Sequence, residues 1–149
     1  MAFTTSEHVE LIKRLIKDSL SYEDKTIHTN YLKYELKARS LNLGRQAGNT
    51  SATLIALQEF KSKYSCVVLQ HKSTGDNLYL SYITQPERER LLYGIEFINI
   101  NSLNTKLPNI VAKGKPIIIC IDVNFNNPEN LTSILYHIDY IAAIFKSVF

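Results

Sequence analysis

The chain has 149 residues, 45% of them hydrophobic and 21% charged, with a net charge of +3 and two cysteines. That length suits one domain, residues 1–149, with a core that needs no disulfide or metal, and the apolar content excludes a disordered chain. The mild charge with scattered lysines gives no strong nucleic-acid signal, the apolar run at 116–121 is too short to span a bilayer, and the first residues lack a secretory pattern, so a soluble cytoplasmic protein with no membrane partner is expected.

Thr4 with Glu7 three residues later has the capping-box pattern, and Val9, Ile12, Ile16 and Leu20 continue at helical spacing. Residues 21–26 read as a connection, after which Ile27, Tyr31, Tyr34, Ala38 and Leu41 predict a second helix. These two helices form a helical N-terminal part, 1–42, ahead of an α/β part, 43–149. Gly44 and Gly48 break the chain, and Thr50 or Ser51 opens a third helix carried to about Lys61 by Leu54, Ile55, Leu57 and Phe60.

A β-branched run at 64–70 predicts a strand, 73–77 a turn, and 78–83 another strand or extended segment. Thr84, Pro86 and Glu87 then start a short helix that Gly94 stops. Residues 95–100 predict a strand and 102–109 a loop. The continuous apolar run at 116–123 has the composition of a strand buried on both faces of a parallel sheet, and it contains Asp122 near its end. A turn at 124–130 precedes a closing helix built on Leu131, Ile134, Leu135, Ile138, Ile141, Ala142 and Phe145. Strands and helices alternate after residue 43, so an α/β layered fold is expected.

The segment with chemical content is LeuGlyArgGlnAlaGlyAsnThrSer at 43–51. Glycines allow successive backbone N–H groups to converge on an anion, and the helix that follows points its free donors and positive dipole end at the same place. A phosphate-binding loop of the form G-x-x-x-x-G-K-[ST] puts lysine on the terminal phosphates and a hydroxyl on magnesium. Aligned on Gly48, Leu43 replaces the first glycine, Asn49 replaces the lysine, and Thr50 keeps the hydroxyl. The plainer reading is a glycine-containing helix start capped by Asn49 or Thr50.

Residues 44–51 resemble the Walker A region of the P-loop NTPases of tailed phages, including large terminase subunits, where an Arg-Gln pair precedes Gly-Lys-Thr and the first glycine is often missing. The match by residue type is confined to this loop; beyond it the likeness is one of order, with loop, helix, strand and an apolar strand ending on Asp122 that looks like a Walker B strand. The resemblance implies a phage-encoded protein with a small, mainly parallel sheet flanked by helices. It implies a nucleotide site at Gly44, Arg45, Gln46, Gly48, Asn49, Thr50 and Ser51, and magnesium held through Thr50 and Asp122, with ATP or GTP as ligand. Two departures disable catalysis. Asn49 carries no positive charge, and a hydrogen bond to a charged group contributes about 1.5–3 kcal/mol, roughly a ten- to hundredfold change in affinity. Val123 and Asn124 stand where the family's catalytic glutamate follows the aspartate. Charge developing on a transferred phosphoryl group needs the missing cation, so the expected activity is non-hydrolytic nucleotide or phosphate binding, or protein interaction.

The other candidates are weaker. His8, His28, His71 and His137 are dispersed without metal-ligand spacing, and Cys66 and Cys120 sit in apolar runs as buried thiols rather than a bridge or zinc ligands. Arg88 and Arg90 form a charged stripe that reads as a solvated face. Tyr31, Tyr34, Tyr79, Tyr82, Tyr136 and Tyr140 could stack bases or fill a partner's pockets, but read first as core-edge residues. An alternative function is therefore an inhibitor or immunity-type protein-binding domain without a nucleotide site, and a third is an ATPase in which Arg45 replaces the lysine.

Overall fold

The computed structural model of the protein describes residues 6–22, 29–41, 49–70, 85–121 and 128–147. In chain order these form α1 (Ser6–Leu20), α2 (Asn30–Lys37), β1 (Ala38–Leu41), α3 (Asn49–Leu57), β2 (Ser65–Gln70), α4 (Gln85–Leu92) and β3 (Ile95–Asn99). A 3-10 turn (Ile100–Ser102), α5 (Leu103–Val111), β4 (Ile117–Ile121), α6 (Pro128–Tyr136), a second 3-10 turn (Ile138–Tyr140) and β5 (Ile141–Ser147) follow. The expected turn at 73–77, the strand at 78–83 and the caps Thr4 and Thr84 lie outside the described residues.

The strands make one sheet in the order β1-β5-β4-β2-β3, with every neighbouring pair parallel. A parallel sheet needs cover on both faces, and the apolar side chains divide accordingly. Cys66, Val68, Ile118, Cys120, Ala143 and Phe145 pack under α1 and α3, while Val67, Leu69, Ile117, Ile119, Ile121 and Ile144 pack under α5 and α6. All five residues of β4 are buried, as its unbroken apolar run requires.

The connections explain this layering. Chain order moves across the sheet in one direction from β1 to β2 to β3, with α3 and α4 on the first face. It then returns from β3 through β4 to β5, with α5 and α6 on the second face. Right-handed crossovers that reverse direction must change face, so the order of strands dictates which helix covers which side.

Three expected elements take a different form, and residues 128–130, expected as the end of a turn, are the first residues of α6. Residues 38–41 form β1 rather than the end of a helix: Ala38 adopts φ −90° and ψ 135°, and Ala38 to Leu41 pair with Ile144 to Ser147. Residues 102–109 contribute most of α5 rather than a loop, because Leu103, Leu107 and Ile110 recur at helical spacing and are all buried. That burial outweighs Pro108, whose missing N–H costs one helical bond. The closing helix stops at Tyr136, and Ile141 to Ser147 become a strand paired on both edges, with a register shift at its start where Ile117 meets Ile141 and Ile118 meets Ala143. Leu131, Ile134, Ile138, Ile141 and Phe145 satisfy a helical spacing, but a short apolar run of this kind is equally compatible with a strand buried on both faces.

Candidate functional site

In a parallel sheet all crossover helices begin at one edge, so free backbone N–H groups gather there, and ligands bind where neighbouring strands send their connections to opposite faces. Here β2 leads to the first face and the adjacent β4 to the second, which makes the carboxyl ends of β2 and β4 such a switch point.

A crevice of about 10 Å³ opens at this point, lined among the described residues by Thr53, Leu54, Val68, Cys120, Ile121, Phe145 and Ser147. Its roof is the second turn of α3, and its walls are the ends of β2, β4 and β5. This volume holds about one water, so the crevice forms a floor beneath α3 and is too small to enclose a phosphate. No charged side chain is in that lining.

The buried Ser147 Oγ has no hydrogen-bond partner among the described residues, and Ser147 is only 6% exposed. Asn130, third residue of α6 at the same edge on the opposite face, is 4% exposed and its Nδ2 likewise has no partner among the described residues. An orphan buried hydroxyl or amide costs about 1–3 kcal/mol and marks a place that an ion, a water or a ligand can satisfy. Neither residue stood out from the sequence: Ser147 follows a stretch read as a helix and Asn130 falls in one read as a turn.

Of the predicted site residues, Asn49, Thr50 and Ser51 are the first three residues of α3. Gly44, Arg45, Gln46, Gly48 and Asp122 lie outside the described residues. The chain on either side of them is defined. Leu41, the last residue of β1, is the register partner of Ser147, and Ile121, the last residue of β4, lines the crevice. Because β1 and β4 are parallel with β5 between them, both strands end at the same edge.

His137 Nδ1 lies 3.2 Å from the Ser133 carbonyl and its ring stacks edge-on against Tyr136, while His8 is buried in α1. His28, His71, Tyr79 and Tyr82 lie outside the described residues. Tyr34 is buried with Lys146 Nζ 4.7 Å from its ring centre, whereas Tyr31, Tyr136 and Tyr140 are exposed. Arg90 is exposed, and Cys66 and Cys120 are free buried thiols. Among the described residues no helix is long and apolar enough to cross a membrane. No protein-family model, curated protein or solved structure matches this chain.

Proposed function

We propose that this chain is a P-loop-like, non-hydrolytic binding protein that captures a nucleotide or phosphate at the carboxyl edge of its sheet. The ligand sits on the backbone of residues 44–51, with Arg45, Gln46 and Thr50 as side-chain partners and Asp122 beside an accompanying magnesium ion. The observation that carries this reading is the convergence at one switch point of the end of β1, the start of α3 and the end of β4, over a crevice whose Ser147 hydroxyl has no partner among the described residues. Helix α3 supplies a positive dipole end, and its nine residues are long enough to present it. Asn49 in place of lysine leaves that site to bind through backbone donors, without the cation that transfer chemistry needs.

Thermal unfolding with and without ATP, GTP and magnesium tests the proposal. A ligand at one hundred times its Kd adds about 2.7 kcal/mol to stability. Absence of any shift at millimolar nucleotide overturns the reading. Asn49→Lys is expected to tighten binding by about tenfold or more, since it restores a charged hydrogen bond.

A second reading, protein interaction, draws on a different surface. Helix α2 is joined to the α6 end by Asn30 Nδ2 to Leu135 O at 3.1 Å and by the Lys33–Asp139 ion pair at 2.8 Å. Those two segments leave Tyr31, Leu32, Tyr136 and Tyr140 exposed, and tyrosines are enriched where proteins meet. Loss of a partner on Tyr136→Ala with nucleotide binding unchanged would favour this reading.

A further inference from the structure

At the opposite, amino edge of the sheet lies a much larger groove, about 580 Å³, within the range of small-molecule sites. Its lining among the described residues carries three ammonium groups, Lys61, Lys113 and Lys115, against one carboxylate, Glu96. Lys113 pairs with Glu96. The other two lysines are held by neutral carbonyls: Lys61 Nζ donates to Arg90 O at 3.2 Å and Tyr93 O at 3.0 Å, and Lys115 Nζ to Ser62 O at 3.3 Å. An ammonium has three N–H donors, so among the described residues Lys61 retains one and Lys115 two, and neither charge is balanced by a carboxylate in the described lining. Both lysines line the same groove as the buried Cys66.

The groove also has an aromatic wall. Tyr93 is 79% exposed, with Lys61 Nζ 5.8 Å from its ring centre, and Tyr64 lines the same space. Gly94, at φ +82°, makes the turn between Tyr93 and β3, and a Cβ there would come within 3.4 Å of the Lys61 side chain. Lysine and tyrosine therefore share one rim.

We infer that this amino-edge groove binds a phosphate monoester bearing a planar ring, of mononucleotide size, with its phosphate on Lys61 and Lys115 and its ring against Tyr93. Two lysines in one groove lining suit a doubly charged phosphate, which accepts several N–H bonds at once. An exposed tyrosine ring stacks any base without reading its sequence. The inference is independent of the carboxyl-edge site, which lies at the other end of the strands.

Equilibrium dialysis of the full chain with labelled adenosine monophosphate tests it, with inorganic phosphate as competitor. Saturable binding is expected that weakens about tenfold in Lys115→Gln, since one charged hydrogen-bond donor is lost, and by about fivefold or more in Tyr93→Ala, since a stacking surface is lost. Asn49→Lys should leave this binding unchanged, which separates it from the carboxyl-edge proposal. No saturable binding at millimolar ligand overturns the inference. So does binding unaffected by both groove variants, and so does inorganic phosphate competing as well as the nucleotide, because the ring would then contribute nothing.

Discussion

The two edges of the sheet meet the electrostatics of a parallel α/β fold in opposite ways. At the amino edge crossover segments end, leaving carbonyl groups and the negative ends of helix dipoles. A lysine from another element answers each of several such ends: Lys61 on Arg90 and Tyr93, Lys115 on Ser62, and the buried Lys37 on Ile138 at 3.0 Å. At the carboxyl edge helices begin, and the crevice lining among the described residues has no charged group and an unpartnered hydroxyl. Carbonyl ends at the amino edge are thus met by lysines from within the chain, whereas the carboxyl-edge crevice has no such cation among the described residues. A cation can cap a carbonyl end from a distance because its stem is long, but backbone N–H groups at a helix start are best met by an anion or by a local cap.

The largest expected effect separates these edges by pH. Burial pushes the Cys66 thiol, at the floor of the amino-edge groove, up from 9.0 to about 12, against the smaller opposing pull of Lys61 and Lys115. Between those values the unfolded chain has lost a proton that the folded chain keeps, so rising pH favours unfolding. The contribution is fully present below pH 9 and falls by about 1.4 kcal/mol per pH unit above it. Urea unfolding under reducing conditions should show a flatter decline between pH 9 and 12 in Cys66→Ala than in the parent chain; equal slopes would refute the assignment.

Lys37→Ala comes next, with an expected loss of about 2 kcal/mol. It removes a buried stem and strands the Ile138 carbonyl, in a residue only 8% exposed. A loss indistinguishable from that of an exposed lysine such as Lys63 would break the contrast between the edges. Gly94→Ala should cost about 1 kcal/mol, because its φ of +82° strains any side chain, while the new Cβ would only reach van der Waals contact with Lys61. The smallest effect belongs to the carboxyl edge. Ser147→Ala deletes an orphan hydroxyl and should leave stability within about 0.5 kcal/mol or raise it. A large loss in urea unfolding would mean that this hydroxyl is satisfied in the folded chain.

Much of the layer plan was legible in the residue pattern. The run at 117–121 is apolar without interruption and is buried throughout, Ser65–Gln70 is β-branched in part and forms a strand, and Gly94 follows α4 with the positive φ expected of a helix stop. Asn49, Thr50 and Ser51 open a helix as their capping chemistry suggests. Two of the three misread stretches share one cause. Residues 38–41 and 141–147 are strands because they pair with each other across a hundred residues of chain, and no local period announces such a partner. Residues 103–111 are helical because one apolar face is buried in spite of Pro108.

The candidate sites divide along the same line. Glycine spacing ahead of a helix start is what makes residues 44–51 the candidate for the proposed anion site, because backbone freedom and a following helix start are local properties written in consecutive residues. That β1 and β4 end at one edge with β5 between them, that Ser147 is buried there with no partner among the described residues, and that Lys61 and Lys115 line one groove with Cys66 were decided only by the tertiary structure. Each depends on which distant strands pair, and pairing is chosen by the burial of two whole faces rather than by any segment's own preference.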